Sequence, residues 1–250
     1  MVIGLDIGGS KITGIVLSGK QVVRDLTSTT PKNLEGFKLC IKQLLLNLSA
    51  SKKIQAIGVG MAGMANANGK VAYSPNMKFL VGFNILEFLQ SSGIKKIKIG
   101  NDANCFVLAE ALLGQGKGLA NFIGITLGTG IGAGLISKGR LYGGIHGSAG
   151  EVGHMMADAH RDYEALFQQY RDKNNYAAMA KLLGRMFADI YNLLDLEAII
   201  LGGSMAKLAN RFLRAALSET RKDILNKQIR PKILISKLKN AGAIGAALLI

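Results

Sequence analysis

The 250-residue chain has two cysteines, three prolines and no tryptophan, and 16 acidic residues stand against 31 lysines and arginines. Each shortage excludes something. Cys40 and Cys105 form no CxxC pair, which argues against a disulfide framework and a cysteine-based metal site and fits a reducing compartment. The start, MVIGLDIGGSK, lacks a basic n-region, and the longest apolar stretch, Ile123 to Ile136, is broken by glycines before it could span a bilayer. The expectation is a soluble, cytoplasmic protein with no membrane partner. The shortage of acid leaves a net charge of +15, which raises the question of nucleic acid. The lysines, however, are scattered (Lys52, Lys53, Lys95, Lys96, Lys98, Lys237, Lys239), with no arginine-rich arm and no aromatics interleaved for base stacking. A solvated surface is the favoured reading and no nucleic-acid partner is expected, although a positive field would attract an anionic substrate such as a nucleotide.

What the chain has in quantity is glycine, 32 residues in all, placed where apolar runs end. Residues 2–7 and 12–17 read as two strands around the turn Gly8-Gly9-Ser10-Lys11. A helix is expected over Leu34 to Leu48, with Phe37, Ile41, Leu44, Leu45 and Leu48 on one face. Ile54 to Gly60 reads as a strand entering the small-residue loop Met61–Asn68. Ile94 to Ile99 reads as a strand ending at Asn101-Asp102, followed by a helix over Ala103 to Leu113. The opening device then recurs: Phe122–Leu127, the turn Gly128-Thr129-Gly130, and Ile131–Ile136. A helical stretch over Tyr163–Leu194 leads to a strand, Ala198–Leu201, that stops at Gly202-Gly203-Ser204 before another helix. Two halves that each begin strand–glycine–strand imply α/β domains sharing a cleft, with a hinge near residues 110–120.

Free backbone N–H groups in glycine turns can cradle phosphate oxygens that side chains would crowd. One such turn means little; three of them after apolar strands mean more. Gly128 to Ala133 also fits the dinucleotide fingerprint, but the fingerprint needs a helix after the loop, and residues 131–136 alternate as a strand does. No P-loop is present. Asp6 ends a strand just before the first turn, where a carboxylate can reach phosphate-bound magnesium or simply cap the turn. Asp102 likewise ends a strand, and is either a functional carboxylate or the N-cap of the following helix. Glu151 and His154, in Gly150-Glu151-Val152-Gly153-His154, can both hydrogen-bond a polyol, but are too few ligands for a closed zinc site.

Taken together these segments resemble the ROK family of sugar kinases and repressors over nearly the whole chain. Asp6 to Lys11 is similar to the family's first phosphate motif, usually DIGGTK. Gly60-Met61-Ala62-Gly63 resembles its G-x-P-G loop, with Ala62 in place of proline, and Ser74-Pro75-Asn76 resembles its P-N segment. Asn101-Asp102-Ala103-Asn104 matches N-D-A-N, Leu127 to Gly132 resembles the second phosphate motif, Leu201 to Ser204 the adenosine motif, and Glu151 to His154 the E-x-G-H sugar motif.

The resemblance implies an actin-like ATPase (ribonuclease H-like) α/β fold of two domains, with ATP and sugar in the cleft between them. Residues 1–115 plus 241–250 would form the smaller lobe and 116–240 the larger. It implies an ATP- and Mg2+-dependent kinase acting on a hexose or N-acetylhexosamine at the 6-hydroxyl, with Asp102 as base. Gly63, Asn76, Asn101, Glu151, His154 and Glu164 would hold the sugar. Asp6, Gly8, Gly9, Ser10, Lys11, Gly128, Thr129, Gly130, Gly202, Gly203 and Ser204 would hold the nucleotide, and Asp6 would face the magnesium ion. A non-catalytic sugar sensor on the same fold is the alternative, and a homodimer is left open. Two departures stand out. The family's three zinc cysteines after its histidine have no counterpart between Met155 and Tyr163, so no structural zinc is expected and something else must orient the His154 ring, with Glu151 and Glu164 as the candidate carboxylates. Asp158, His160 and Asp162 are the side chains that could rebuild a zinc site. Because the first phosphate motif begins close to Met1, the helix-turn-helix of the repressor members is not expected.

Overall fold

The two apolar runs around the first glycine turn form β1 (Val2–Ile7) and β2 (Lys11–Ser18), paired antiparallel, and β2 pairs onward with β3 (Gln21–Thr29). The sequence reading named no strand at β3. It is an edge strand whose side chains are mostly exposed, so its composition lacks the apolar run of its neighbours. Helix α1 (Leu34–Ser49) begins where Asn33 accepts the Gly36 N–H at 2.8 Å, the ordinary N-cap bond. It buries the expected face of Phe37, Ile41, Leu44, Leu45 and Leu48, with Cys40 added.

β4 (Ala56–Met61), buried at every position, runs parallel to β1, and β7 (Lys96–Asn101) runs parallel to β4. Between them lie a small hairpin, β5 (Met64–Ala65) and β6 (Val71–Tyr73), and the short helix α2 (Ile85–Gln90). Helix α3 (Asp102–Leu113) follows β7 directly. The sheet order is β3-β2-β1-β4-β7. This is a computed structural model, described for residues 1–50, 53–66 and 68–250; Lys52 and position 67 of the Met61–Asn68 loop fall outside the described residues.

The second half repeats the plan. β8 (Phe122–Leu127), β9 (Ile131–Ser137) and β10 (Arg140–Tyr142) are antiparallel neighbours, while β11 (Ala198–Gly202) and β12 (Ile233–Ile235) run parallel to β8, in the order β10-β9-β8-β11-β12. The expected helical stretch is two helices, α4 (Tyr163–Asp172) and α5 (Tyr176–Leu194). Asn174 takes a left-handed conformation and the Asn175 side chain caps α5 by accepting the Ala178 N–H. After β11 a 3₁₀ segment, Met205–Arg211, precedes α6 (Leu213–Asp223), and the chain ends in α7 (Ala241–Leu248). Two compact units result, Met1–Ala109 with Leu238–Ile250, and Glu110–Lys237. Among the described residues no helix is long and apolar enough to cross a membrane.

Each unit has its own core. In the first, Ile3, Leu5, Ile57 and Val59 of the central strands pack with the buried face of α1; in the second, Ile123, Ile125, Ile199 and Leu201 pack with Leu183, Phe187 and Tyr191 of α5. On the first sheet, α7 lies so close that hydrogen is the only side chain that fits beneath it. A Cβ at Gly4 would overlap the Ala243 carbonyl oxygen, and one at Gly58 the Ala246 carbonyl oxygen. On the helix side, a Cβ at Gly245 would overlap the Cys105 carbonyl oxygen of α3. Because these obstacles are backbone, no rotamer change relieves them. We expect Gly58→Ala to destabilise the protein by about 2 kcal/mol or more, whereas Gly143→Ala, with open space around its Cα, changes stability by less than about 0.5 kcal/mol. Paired urea melts measure both.

Candidate functional site

Parallel register brings the chemistry of the first unit to one edge. Ile7, Met61 and Asn101 are register partners across β1, β4 and β7, so the segments that follow, Gly8 to Lys11, Ala62-Gly63 and Asp102, all leave the carboxyl ends of parallel strands. That edge is where open α/β sheets bind ligands. The first turn is closed by Gly8 N–H to the Lys11 carbonyl at 3.0 Å and pinned by the Thr30 hydroxyl donating to the Gly8 carbonyl at 2.6 Å. Gly9 lies against Asn76, whose Cβ stands where a Gly9 side chain would go. Gly63, at φ +118, lies against the Tyr73 carbonyl and Ser74, and the Ser74 hydroxyl donates to the Ala62 carbonyl at 3.2 Å. The G-x-A-G loop and the Ser-Pro-Asn segment are thus joined, and Asn76 touches the first glycine turn.

The choice left open at Asp102 resolves in favour of its neighbour. Asn101 Oδ1 accepts the N–H groups of Ala103 (2.9 Å) and Asn104 (3.1 Å), so Asn101 caps α3. Asp102 Oδ1 also receives the Ala103 N–H at 2.9 Å, which fixes the carboxylate at the positive end of the helix. Asp6 sits close enough for the two charges to interact. Burial first, and then the Asp102 charge, push the Asp6 carboxyl up to about 7 against the opposing pull of Lys11. Its carboxylate packs on Gly242 of α7, where a Cβ would collide with it. A divalent cation there would favour the ionised form, so a buried carboxylate in search of positive charge fits a phosphate-bound magnesium ion. Asn104 contributes a buried Oδ1 with no hydrogen-bond partner, a feature the sequence reading did not single out.

In the second unit, Gly128–Gly130 follows β8 and Gly203-Ser204 follows β11. The two strands are in register at Thr126 and Gly202. Gly203, at φ +85, presses on the Leu127 carbonyl. The turn is closed by Gly128 N–H to the Gly130 carbonyl at 3.0 Å, and a Cβ at Gly128 would meet only open space. Phosphate oxygens fit this arrangement, with glycine backbone exposed on one side. The other side is held by α4. Ile131 N–H donates to Glu164 Oε2 at 2.7 Å, Gly130 packs on the same carboxylate, and Arg171 Nη1 donates to the Gly128 carbonyl at 3.0 Å and to the Thr129 carbonyl. Glu164, expected on the sugar, therefore has one carboxylate oxygen engaged with the second glycine turn. Arg171 carried no motif and was missed.

His154 is oriented by Asp162, which replaces the expected Glu151 or Glu164. The contact is His154 Nδ1 to Asp162 Oδ2 at 3.1 Å. The other oxygen of Asp162 caps α4 by accepting the Ala165 N–H at 2.7 Å. The intervening loop is tied by Asp158, which accepts the N–H groups of His160 and Arg161 and pairs with the Arg161 guanidinium at 2.7 Å. Among the described residues no three His, Cys, Asp or Glu side chains are grouped to hold a metal ion. The Asp162 bond, followed by the Glu164, Asp162 and Glu151 charges, raises the His154 pKa against the opposing effect of burial. For Asp162, burial works upward, but the Ala165 N–H and His154 outweigh it and hold the carboxyl low.

The sequence profile of the ROK family matches residues 2–175 and 162–250. The chain belongs to the ROK family. The glucokinase of Thermotoga maritima is 32% identical over 160 residues, 62% of this chain and 50% of that protein. The chain spans about half the length of the curated relatives it matches in this way. Among solved structures, the ROK hexokinase of Thermus thermophilus superposes with a TM-score of 0.85 at 27% identity, covering 99% of this chain and 96% of that one. A Streptomyces griseus ROK glucokinase, solved with glucose and AMPPNP, gives 0.86 at 23% identity over 99% and 98%. The fold is accordingly α/β and actin-like, with its strand order repeated in both units.

Because the His154 pKa is raised on folding, the His154–Asp162 pair stabilises the folded state fully below the ordinary value of 6.5 and fades as pH rises through the raised one. Asp162→Asn should lower the His154 midpoint in an NMR titration and make stability less dependent on pH across that window; an unmoved midpoint would discard the pair. With the loop tied by Asp158 and Arg161, the purified protein is expected to hold no stoichiometric zinc, and chelators to leave its Tm unchanged. Metal analysis and a melt in chelator check this.

Proposed function

We propose that the chain is an ATP-dependent sugar kinase that phosphorylates a hexose or N-acetylhexosamine at its 6-hydroxyl, with Asp102 as the general base. The observation that carries this reading is the division of labour at the start of α3. Asn101 caps the helix, while Asp102, beside Asp6, is held at the carboxyl edge of the sheet.

In the proposed reaction Asp102 accepts the proton of the sugar hydroxyl as that oxygen forms a bond to the γ-phosphorus and the bond to the ADP oxygen breaks. Asn76, Glu151 and His154 hold the sugar; His154, with Nδ1 on Asp162, has Nε2 to offer a hydroxyl. Gly8 to Lys11, Gly128 to Gly130, and Gly202 to Ser204 receive the nucleotide. Magnesium, bound with the phosphates, would supply positive charge that offsets theirs, and Asp6 is the residue that would meet it. Most of the rate enhancement in this class of reaction comes from positioning and fixed charge, which suits a site built from capped helices and closed turns.

A coupled ADP-release assay over a panel of hexoses and N-acetylhexosamines tests the reading. Turnover should appear with at least one sugar. Asp102→Asn, which keeps shape but not basicity, should lower kcat by roughly 10²- to 10⁴-fold with sugar KM little changed. Sugar binding without any ADP release from the wild type would point to the non-catalytic sensor. Near-normal turnover of the Asp102→Asn variant would remove Asp102 from the chemistry.

A further inference from the structure

We infer that Arg171 is a positioning residue for the phosphoryl donor: by gripping the carbonyl groups of the second glycine turn from behind, it aims the N–H groups of Thr129 and Gly130 at the phosphates. The inference rests on the kinase reading above and adds to it a residue that none of the family motifs contains.

In a trans peptide the C=O and N–H point in opposite directions within one plane. The Gly128 carbonyl and the Thr129 N–H belong to one such plane, and the Thr129 carbonyl and the Gly130 N–H to the next. Arg171 Nη1 donates to both carbonyls, so both N–H groups are turned away from α4. Neither N–H has a hydrogen-bond partner among the described residues, whereas the flanking Gly128 and Ile131 N–H groups are engaged, with the Gly130 carbonyl and Glu164. Two successive unengaged donors on the open side of a glycine turn form a small anion-binding nest. The absence of any atom near the position of a Gly128 Cβ leaves room for the anion.

Arg171 is itself held. Its Nε and Nη2 bond Asp172 at 2.8 and 2.7 Å, and its side chain is only 23% exposed. A planar guanidinium fixed along one edge presents its remaining N–H groups in a set direction, which a lysine on a flexible stem does less well. Glu164 lies seven residues earlier, two turns along the same face of α4. Together the two side chains hold the turn at three consecutive peptides. Glu164 also removes the Ile131 N–H from the nest, which limits the nest to two donors.

The helix that carries this clamp starts at Asp162, the residue that orients His154. One rigid element therefore fixes both the histidine assigned to the sugar and the turn assigned to the phosphates, and a variant at Arg171 separates the two duties.

The test compares Arg171→Met, which keeps the stem and loses the donors, with Arg171→Lys, which restores a cation. The measurements are amide hydrogen exchange over residues 126–132, AMPPNP binding by calorimetry, and the KM values for ATP and sugar. Arg171→Met is expected to speed exchange in that segment, weaken AMPPNP and raise the ATP KM by roughly tenfold, the loss of one or two hydrogen bonds. Sugar KM should stay within about twofold, and Arg171→Lys should recover part of the loss. Unchanged AMPPNP affinity and ATP KM despite faster exchange would overturn the inference, as would a parallel rise in both KM values with a lowered Tm, the mark of a general structural role. Failure of the wild type to bind AMPPNP and to phosphorylate any sugar would overturn both readings. A wild type that phosphorylates sugar while Arg171→Met behaves as wild type would overturn this one alone.

Discussion

The parallel register of β1, β4 and β7 is the constraint on which the first unit depends. Three strands that start level and run the same way also end level, so segments separated by tens of residues emerge side by side: the turn after Ile7, the loop after Met61 and the helix after Asn101. The tight seating of α7 maintains this register. With Gly4 and Gly58 beneath it and Gly245 against α3, the last helix locks the middle of the sheet at a separation no larger residue would allow. The same strand order in the second unit performs the same task for the Gly128–Gly130 and Gly203-Ser204 turns.

Within that frame, the electrostatics rest on a distribution of tasks among neighbours. Asn101 takes up the Ala103 and Asn104 N–H groups at the helix end, so the cap of α3 is Asn101 and not Asp102. Asp6, buried and packed against α7 at Gly242, bears the cost of burial and of the second carboxylate, and its raised pKa records both. The two carboxylates, close enough to interact, thus stand in unlike environments, one at a helix start and one buried against α7.

In the loop after His154, Asp162 bonds the imidazole and also caps α4, while Asp158 and Arg161 close the loop. Exposed ion pairs contribute little stability singly. Here they fix direction, because Asp162 joins the orientation of one ring to the start of one helix.

By itself the sequence determined the elements with strong apolar patterns and the motif-bearing residues. Apolar runs of strand length ending in glycine, and the helical spacing of Phe37, Ile41, Leu44 and Leu48, are local patterns, and local patterns are what periodicity can report. The family motifs marked Asp6, Asp102, His154 and the glycine turns for the same reason, since each is a short contiguous string. Only the tertiary structure decided which neighbours those residues have. β3 was invisible because an edge strand exposed to water lacks an apolar signature. Asn101 rather than Asp102 as the cap, Asp162 rather than Glu151 or Glu164 on His154, and Arg171 on the Gly128–Gly130 turn are pairings set by hydrogen-bond direction across separations of 2 to 43 residues. Direction of this kind depends on where helices and strands end in space, and no spacing along the chain encodes it.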